Sequence, residues 1–514
     1  MFYKFLSGAQ LDNCFPSSIR RYVGLILCIL DLFFFGGYHY GFNSLIGIYK
    51  SLGLFAYNCT QSGCMYNEDM FGISFNVWFV SHLCLITFAG IFMDRVGLRP
   101  LKLVSTLVYA AGTVMFAFTT GKVAPLFFTA GALVALSSIC SLICNQQISS
   151  MFPHFRGICI SLISGAFDSS TVVAYAVSKY HPYFSLQWSF ISLSIGSFIM
   201  GLFIAMFILT MKSVDMKKFA KTEVTKSVFQ SRVSKSLLLF NHYIVFIYLE
   251  LFHSFTFVKL ITTFYRAFVS YSKESCLEES SSVDVDKELS NVIDERFPTL
   301  RKCIFSASYA LINLWITLGL FRFAIFLSQL YRQLVHLFPT DKKLVEHLLE
   351  VSSVFSMCGF FAAPVSGVII DFSLRCSRDK VANILISNKF NVSNRKMYYN
   401  YICGLVPAMT IMSIFAVILS TMMFIPNTVA IYTAFVCLVI VRSLMFSAYV
   451  SYLLTGFPIR YFGTLNGISN VISGLFSLLQ HIFLHTSGTV ANSVSMAASI
   501  GLFITPFVLL MLRR

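Results

Sequence analysis

The sequence predicts an all-α membrane protein, with twelve transmembrane helices arranged as two pseudo-symmetric six-helix bundles. Three observations carry that prediction. Of the 514 residues, 57% are hydrophobic and only 12% charged, whereas a soluble domain is about a quarter charged. The apolar residues come in blocks of about 20, the length that crosses a hydrocarbon core, and lipid leaves the backbone of such a block no choice but a helix. Short signatures also recur at corresponding blocks of the two halves of the chain.

The blocks place helices at 22–48, 70–92, 101–120, 124–149, 157–179, 187–211, 304–331, 346–371, 399–424, 428–455, 463–484 and 492–512. The first follows Arg20 and Arg21 and reads as a signal anchor that stays in the protein, not as a cleaved secretory signal. Of the 38 basic residues, six fall in outer loops (Lys50, Lys122, Lys179, Arg332, Lys342, Lys343) and two, Arg322 and Arg442, lie inside apolar blocks. The rest, Lys102 among them, collect on the other face, so the charge bias puts both termini in the cytosol. The formal charge of +16 is spread between apolar blocks with no basic, aromatic-interleaved patch, which excludes nucleic acid as a partner and leaves the bilayer.

Four segments follow: a cytosolic N-terminus over 1–21, an N-terminal bundle over 22–211, a cytosolic linker over 212–303 and a C-terminal bundle over 304–512. The linker carries Lys217, Lys218, Lys221 and Lys226, then a polar acidic run from Glu274 to Asp286. Its apolar stretch 237–258 holds Asn241, His242, Glu250 and His253 and is read as a helix lying in the membrane interface. A thirteenth span there would reverse the charge asymmetry of the whole second half.

The repeat is visible in two places. Phe152-Pro153-His154-Phe155-Arg156-Gly157 opens the fifth helix, and Phe457-Pro458-Ile459-Arg460-Tyr461-Phe462-Gly463 opens the eleventh. Gly90 to Asp94 ends the second helix, and Gly367 to Asp371 ends the eighth. Between the second and third helices the chain reads Gly90-Ile-Phe-Met-Asp94-Arg95-Val-Gly97-Leu-Arg99-Pro100-Leu-Lys102. A glycine there permits close helix approach, a carboxylate can accept from a helix N-terminus, and Gly97 suits a tight turn.

This loop resembles the signature of the major facilitator superfamily. The resemblance extends through Leu30-Asp31-Leu32, Gly41 to Leu45, Ser164 to Ser170, Arg442 to Ser447 and the run from Phe457 to Gln480. Together these strings are similar to the branch that holds large-neutral amino-acid facilitators, an equilibrative nucleobase transporter and apicomplexan amino-acid transporters. Asp31 departs from that branch, whose animal members tend to carry Glu, and Gly165 to Ser170 is nearer the nucleobase transporter. The resemblance implies transport of a small organic solute by alternating access. Gating would fall to Gly90, Asp94, Arg95, Gly97, Arg99 and Asp371, with Asp94 latching onto the start of the eleventh helix near Gly463.

Charged groups inside a bilayer are costly and need a reason. Asp31 lies roughly 13 Å into the first helix and Asp168 roughly 16 Å into the fifth, at the rise of an α-helix; Arg322 and Arg442 lie within the seventh and tenth. They are read as the acid and base that meet a zwitterion, or as groups that pair with one another or with the hinge. Gly36, Gly37 and Gly41 loosen the first helix, where Tyr38, His39, Asn43 and Ser44 offer stacking and hydrogen bonds. Asn145, Gln147, Ser447 and Tyr449 complete the candidate solute site.

In the first outer loop Asn58-Cys59-Thr60 is a glycosylation sequon, and Cys59 and Cys64 are expected to form a disulfide on an oxidising face. The ten His show no metal-ligand spacing, and no nucleophile–base set or phosphate loop points to an enzyme or a cofactor. The expected protein is a monomeric plasma-membrane facilitator of amino acids, cationic or large neutral and aromatic. The alternatives are a nucleobase facilitator, a proton-coupled carrier in which Asp31 or Asp168 titrates, and a solute sensor that passes nothing.

Overall fold

The computed structural model describes residues 18–60, 63–66, 68–152, 155–181, 183–212, 282–339, 341–387, 393–480 and 488–513. The apolar linker stretch 237–258 lies outside the described residues. Eleven helices among the described residues are long and apolar enough to cross a membrane.

The N-terminal bundle begins with α1 (Ser18–Phe35), which stops at the Gly36–Gly37 pair. The chain continues as a tighter 3-10 segment, Tyr38–Leu45, and then α2 (Ile46–Ser51). The continuous helix expected over 22–48 is therefore broken, because two adjacent glycines weaken the α-helical ladder where no side chain can reinforce it. The Gly37 N–H instead donates to Ser170 Oγ at 2.5 Å. A short antiparallel pair follows, β1 (Ala56–Thr60) and β2 (Gly63–Tyr66). Cys59 and Asn58 lie on β1 and Cys64 on β2; their side chains, and hence the disulfide and the sequon, lie outside the described residues.

The bundle is completed by α3 (Glu68–Arg95), α4 (Leu98–Phe118), α5 (Pro125–Gln146), α6 (Arg156–Ser169), α7 (Thr171–Tyr180) and α8 (Leu186–Phe203). Its core is aromatic. Phe42 meets Trp78 edge-on at 5.2 Å and Phe127 at 4.9 Å, with Tyr49, Phe116 and Phe190 packed around them. Such pairs hold the 3-10 segment by ring geometry as well as by buried area.

In the second unit of the chain, Asp215–Val292, only 282–292 are described; they open α9 (Ser282–Arg296). The C-terminal bundle comprises α10 (Leu300–Ile304), α11 (Ala307–Leu337), α12 (Lys342–Met357), α13 (Gly359–Ser387), α14 (Asn394–Ile402), α15 (Val406–Met422), α16 (Thr428–Gly456), α17 (Phe462–Ser477), α18 (Gly488–Gly501) and α19 (Ile504–Arg513). The expected eighth helix, 346–371, is two helices with a turn at Cys358, and the second does not end at Asp371 but runs on to Ser387. The added turns carry Arg375, Arg378, Asp379 and Lys380, whose polarity reads as loop although nothing in it breaks a helix.

Two seams join the bundles, α3 against α17 and α6 against α13. Both depend on missing side chains. A Cβ at Gly90 would strike the Gly463 carbonyl, and one at Gly367 would lie 2.5 Å from Ile158 Cα. Small residues let transmembrane backbones approach where lipid gives no hydrophobic drive to associate.

Candidate functional site

Three polar clusters are held inside the helices. In the first, Asp31 on α1 faces Lys102 on α4: Lys102 Nζ lies 2.5 Å from Asp31 Oδ2 and 2.9 Å from Ser141 Oγ. Asn145 Nδ2 donates to the same Asp31 oxygen at 2.7 Å. Lys102 is 1% exposed, so a residue counted with the basic loop is a buried cation one turn inside α4. An acid in the bilayer needs a base, and that need is the signal by which Lys102 could have been found. Gln147 is buried in the 3-10 turn after α5.

The second cluster spans the two bundles. Arg442 Nη2 on α16 lies 2.7 Å from Asp168 Oδ1 on α6, with side chains 14% and 6% exposed. The guanidinium also lies over the Phe323 ring at 5.3 Å, and Asp168 Cβ backs onto the Gly359 backbone that opens α13. At the next residue of each helix the Phe360 N–H donates to Ser169 Oγ at 3.0 Å. Ser447 and Tyr449, further along α16, are buried.

The third is Arg322 on α11, 1% exposed. Its Nε donates to Ser420 Oγ at 3.3 Å and its guanidinium lies 5.5 Å from the Phe326 ring centre. Arg322 does not join Arg442, and Asp31 does not join Asp168. With Lys102 counted, the five charges divide into one pair within a bundle, one pair between bundles, and one cation that meets no carboxylate among the described residues.

On the 3-10 segment His39 is buried and Ser44 half-buried, while the side chains of Tyr38 and Asn43 lie outside the described residues.

At one end of the seams lie the hinge residues. Asp94 accepts from the Gly463 N–H at 3.0 Å, from the Thr464 N–H at 2.7 Å and from Thr464 Oγ1 at 2.7 Å. Asp371 accepts from the Gly157 N–H at 2.7 Å and the Ile158 N–H at 2.9 Å. Each carboxylate thus caps the N-terminus of a helix in the opposite bundle, where orphan N–H groups and the helix dipole favour negative charge. Gly97, with φ +127°, is the turn residue immediately before α4, a backbone conformation that suits glycine. Arg99 is buried and donates from Nε to the Leu209 carbonyl at 2.8 Å, while Arg95 is exposed. The Gly157 and Ile158 amides went unnamed in the sequence reading, although the likeness of the segments that open the fifth and eleventh blocks is the signal that could have found them.

The described residues form a helical bundle with polar clusters at its interior and paired carboxylate caps between its halves, and comparison with known proteins gives the family. The profile of the Major Facilitator Superfamily matches residues 25–481, and the chain belongs to that family. It is 23% identical over 512 residues to the human large neutral amino acids transporter small subunit 3, covering 90% of this chain and 87% of the relative. It is 27% identical over 190 residues to the bovine equilibrative nucleobase transporter 1, covering 34% and 39% of the two chains. Among solved structures, a bacterial homologue of the iron transporter ferroportin in an outward-facing state aligns with a TM-score of 0.55 at 11% identity, over 96% of this chain and 99% of that one. A double-Trp XylE mutant aligns at 0.54 and 12% identity, over 96% of each chain. These are likenesses of fold. The protein is a multi-pass membrane protein of a transporter family.

Proposed function

We propose that this chain moves amino acids across the plasma membrane by alternating access, as a facilitative uniporter or exchanger with both termini in the cytosol. The observation that carries the reading is the Asp168–Arg442 pair, an acid from one bundle and a base from the other, 2.7 Å apart in the membrane interior. A zwitterion offers the complementary pair: its ammonium to Asp168, its carboxylate to Arg442. Insertion would replace one ion pair by two, leaving no charge uncompensated in low dielectric. Because the partners belong to different bundles, occupancy is coupled to the gap between them. The 23% identity to a large neutral amino-acid transporter over most of the chain supports the same substrate class.

The Asp94 and Asp371 caps would close the cytosolic end in this state and break when that end opens. The glycine seams let the bundles meet closely enough for those caps to form.

The nucleobase relative favours a second reading, in which rings on the first span stack a planar solute. Uptake in cells lacking endogenous carriers separates the two. Arginine, leucine, tyrosine, adenine and hypoxanthine are offered with and without a proton gradient. Saturable amino-acid uptake indifferent to the gradient is expected. Nucleobase uptake alone would move the substrate to the second reading. Silence across the panel at normal surface expression would overturn transport of either class and favour a sensor.

A further inference from the structure

The N-terminal bundle balances its buried charge, with Asp31 and Lys102 in contact. In the C-terminal bundle the buried charge of Arg322 meets no carboxylate within ion-pair distance among the described residues. A guanidinium stays protonated in a protein, so this helix carries a full positive charge into the membrane interior. The Ser420 hydroxyl and the face of Phe326 solvate it in part. Nη1 is buried with no hydrogen-bond partner. Charges of this kind occur in membrane proteins where an ion or solute completes them.

We infer that Arg322 is the anchor of an anion site inside the C-terminal bundle, separate from the Asp168–Arg442 pair, and that it takes a single halide-sized ion. Separation follows from the helix. Phe323 packs on Arg442, and Arg322, one residue earlier on α11, points about 100° away; there it meets Ser420 of α15, which in turn contacts Ser499 of α18 at 2.9 Å. The size follows from the donors. Nε is engaged by Ser420, so the side-on fork that grips a carboxylate or phosphate through Nε is not free, and the orphan donors sit together on the single nitrogen Nη1. An approach is also built in. Gln329 and Gln333, seven and eleven residues on along the same face of α11, are buried and carry side-chain atoms without partners. They extend a polar path from Arg322 toward the C-terminal end of that helix.

The test is thermal unfolding of the purified full-length chain at constant ionic strength, with gluconate replaced stepwise by chloride or bromide. A saturable rise in Tm of about 2–3 °C is expected for a site filled to a hundred times its dissociation constant. Arg322→Lys keeps the charge but not the geometry and should move the midpoint to roughly tenfold higher halide. Arg322→Met removes the unbalanced charge; it should unfold no earlier than the parent in gluconate and show no halide response. A flat parent titration would overturn the site, as would an undiminished response in Arg322→Met. If Arg322→Met does not fold, the parent and Arg322→Lys titrations decide alone. Parallel titration with acetate and glycine distinguishes the source: a response to carboxylates and none to halides would overturn the halide assignment and make Arg322 a solute carboxylate receptor.

Discussion

At the scale of single residues, each buried charge can be judged by what it loses when its partner goes. Lys102→Met would leave Asp31 in the bilayer with only Asn145 to solvate it, and a broken buried pair costs about 3–5 kcal/mol. Asp31→Asn combined with Lys102→Met leaves no bare charge, so the double variant should recover most of that loss. Thermal unfolding of the two singles and the double forms a cycle that checks this. Simple additivity would mean that the pair is not coupled. Arg442 answers to a different measurement. Arg442→Ala should lower uptake by about a hundredfold with surface expression held, the order of effect expected when an oriented charge contact to the solute is lost. Arg442→Lys should keep a fraction of the activity, since a point charge replaces a fork. Uptake that falls only in step with expression would make the pair structural.

At the scale of elements, the two seams explain why glycine recurs where it does. Gly90 lies against Gly463, and Gly367 against Gly157 and Ile158, so each seam is a backbone-to-backbone contact with a carboxylate cap at its end. Gly90→Val inserts a branched side chain into the α3–α17 contact and cannot be absorbed by a rotamer change, because the obstacle is backbone. The variant should reach the membrane, turn over more slowly, and make a cysteine introduced as Thr464→Cys react faster with a membrane-impermeant maleimide applied from the side of the proposed cytosolic caps. An unchanged labelling rate would mean that α17 does not need the close approach. Much of this scale was legible in the chain. The apolar blocks marked the spans, and the repeated Gly-to-Asp strings marked the duplication, with the resemblance pointing Asp94 to Gly463 and nothing pointing Asp371 to Gly157. What was hidden had physical reasons. The break after Phe35 depends on Ser170, 133 residues away, supplying a hydrogen bond to Gly37. The extension of α13 past Asp371 is a helix whose last turns bear four charged residues, and hydropathy stops counting there although the helix does not. Lys102 was concealed by its sign, which placed it with the cytosolic cluster although its side chain is buried.

At the scale of the whole molecule, the two caps make one device. Asp94 is carried by the N-terminal bundle and holds α17 of the C-terminal one; Asp371 is carried by the C-terminal bundle and holds α6 of the N-terminal one. The exchange is reciprocal, as a duplicated six-helix unit requires, and it ties the halves at one end by carboxylate-to-amide bonds that a charged acceptor strengthens. Neutralising one carboxylate should weaken its cap without emptying it, since an Asn oxygen still accepts. Asp94→Asn or Asp371→Asn alone should therefore slow exchange several-fold with folding and surface expression intact. The double variant loses charge at both caps, and each hydrogen bond to a charged group contributes about 1.5–3 kcal/mol against about 1 for a neutral one. A combined loss of roughly 2 kcal/mol shifts a two-state equilibrium about thirtyfold toward the arrangement in which these caps are apart. The consequence is directional: a cysteine introduced in α6, as Ile158→Cys, should label faster from the side of the proposed cytosolic caps in the double variant than in either single, while transport falls further. Equal labelling in the single and double variants would mean that one cap alone sets the closed state and that the reciprocity of the repeat has no mechanical part in transport.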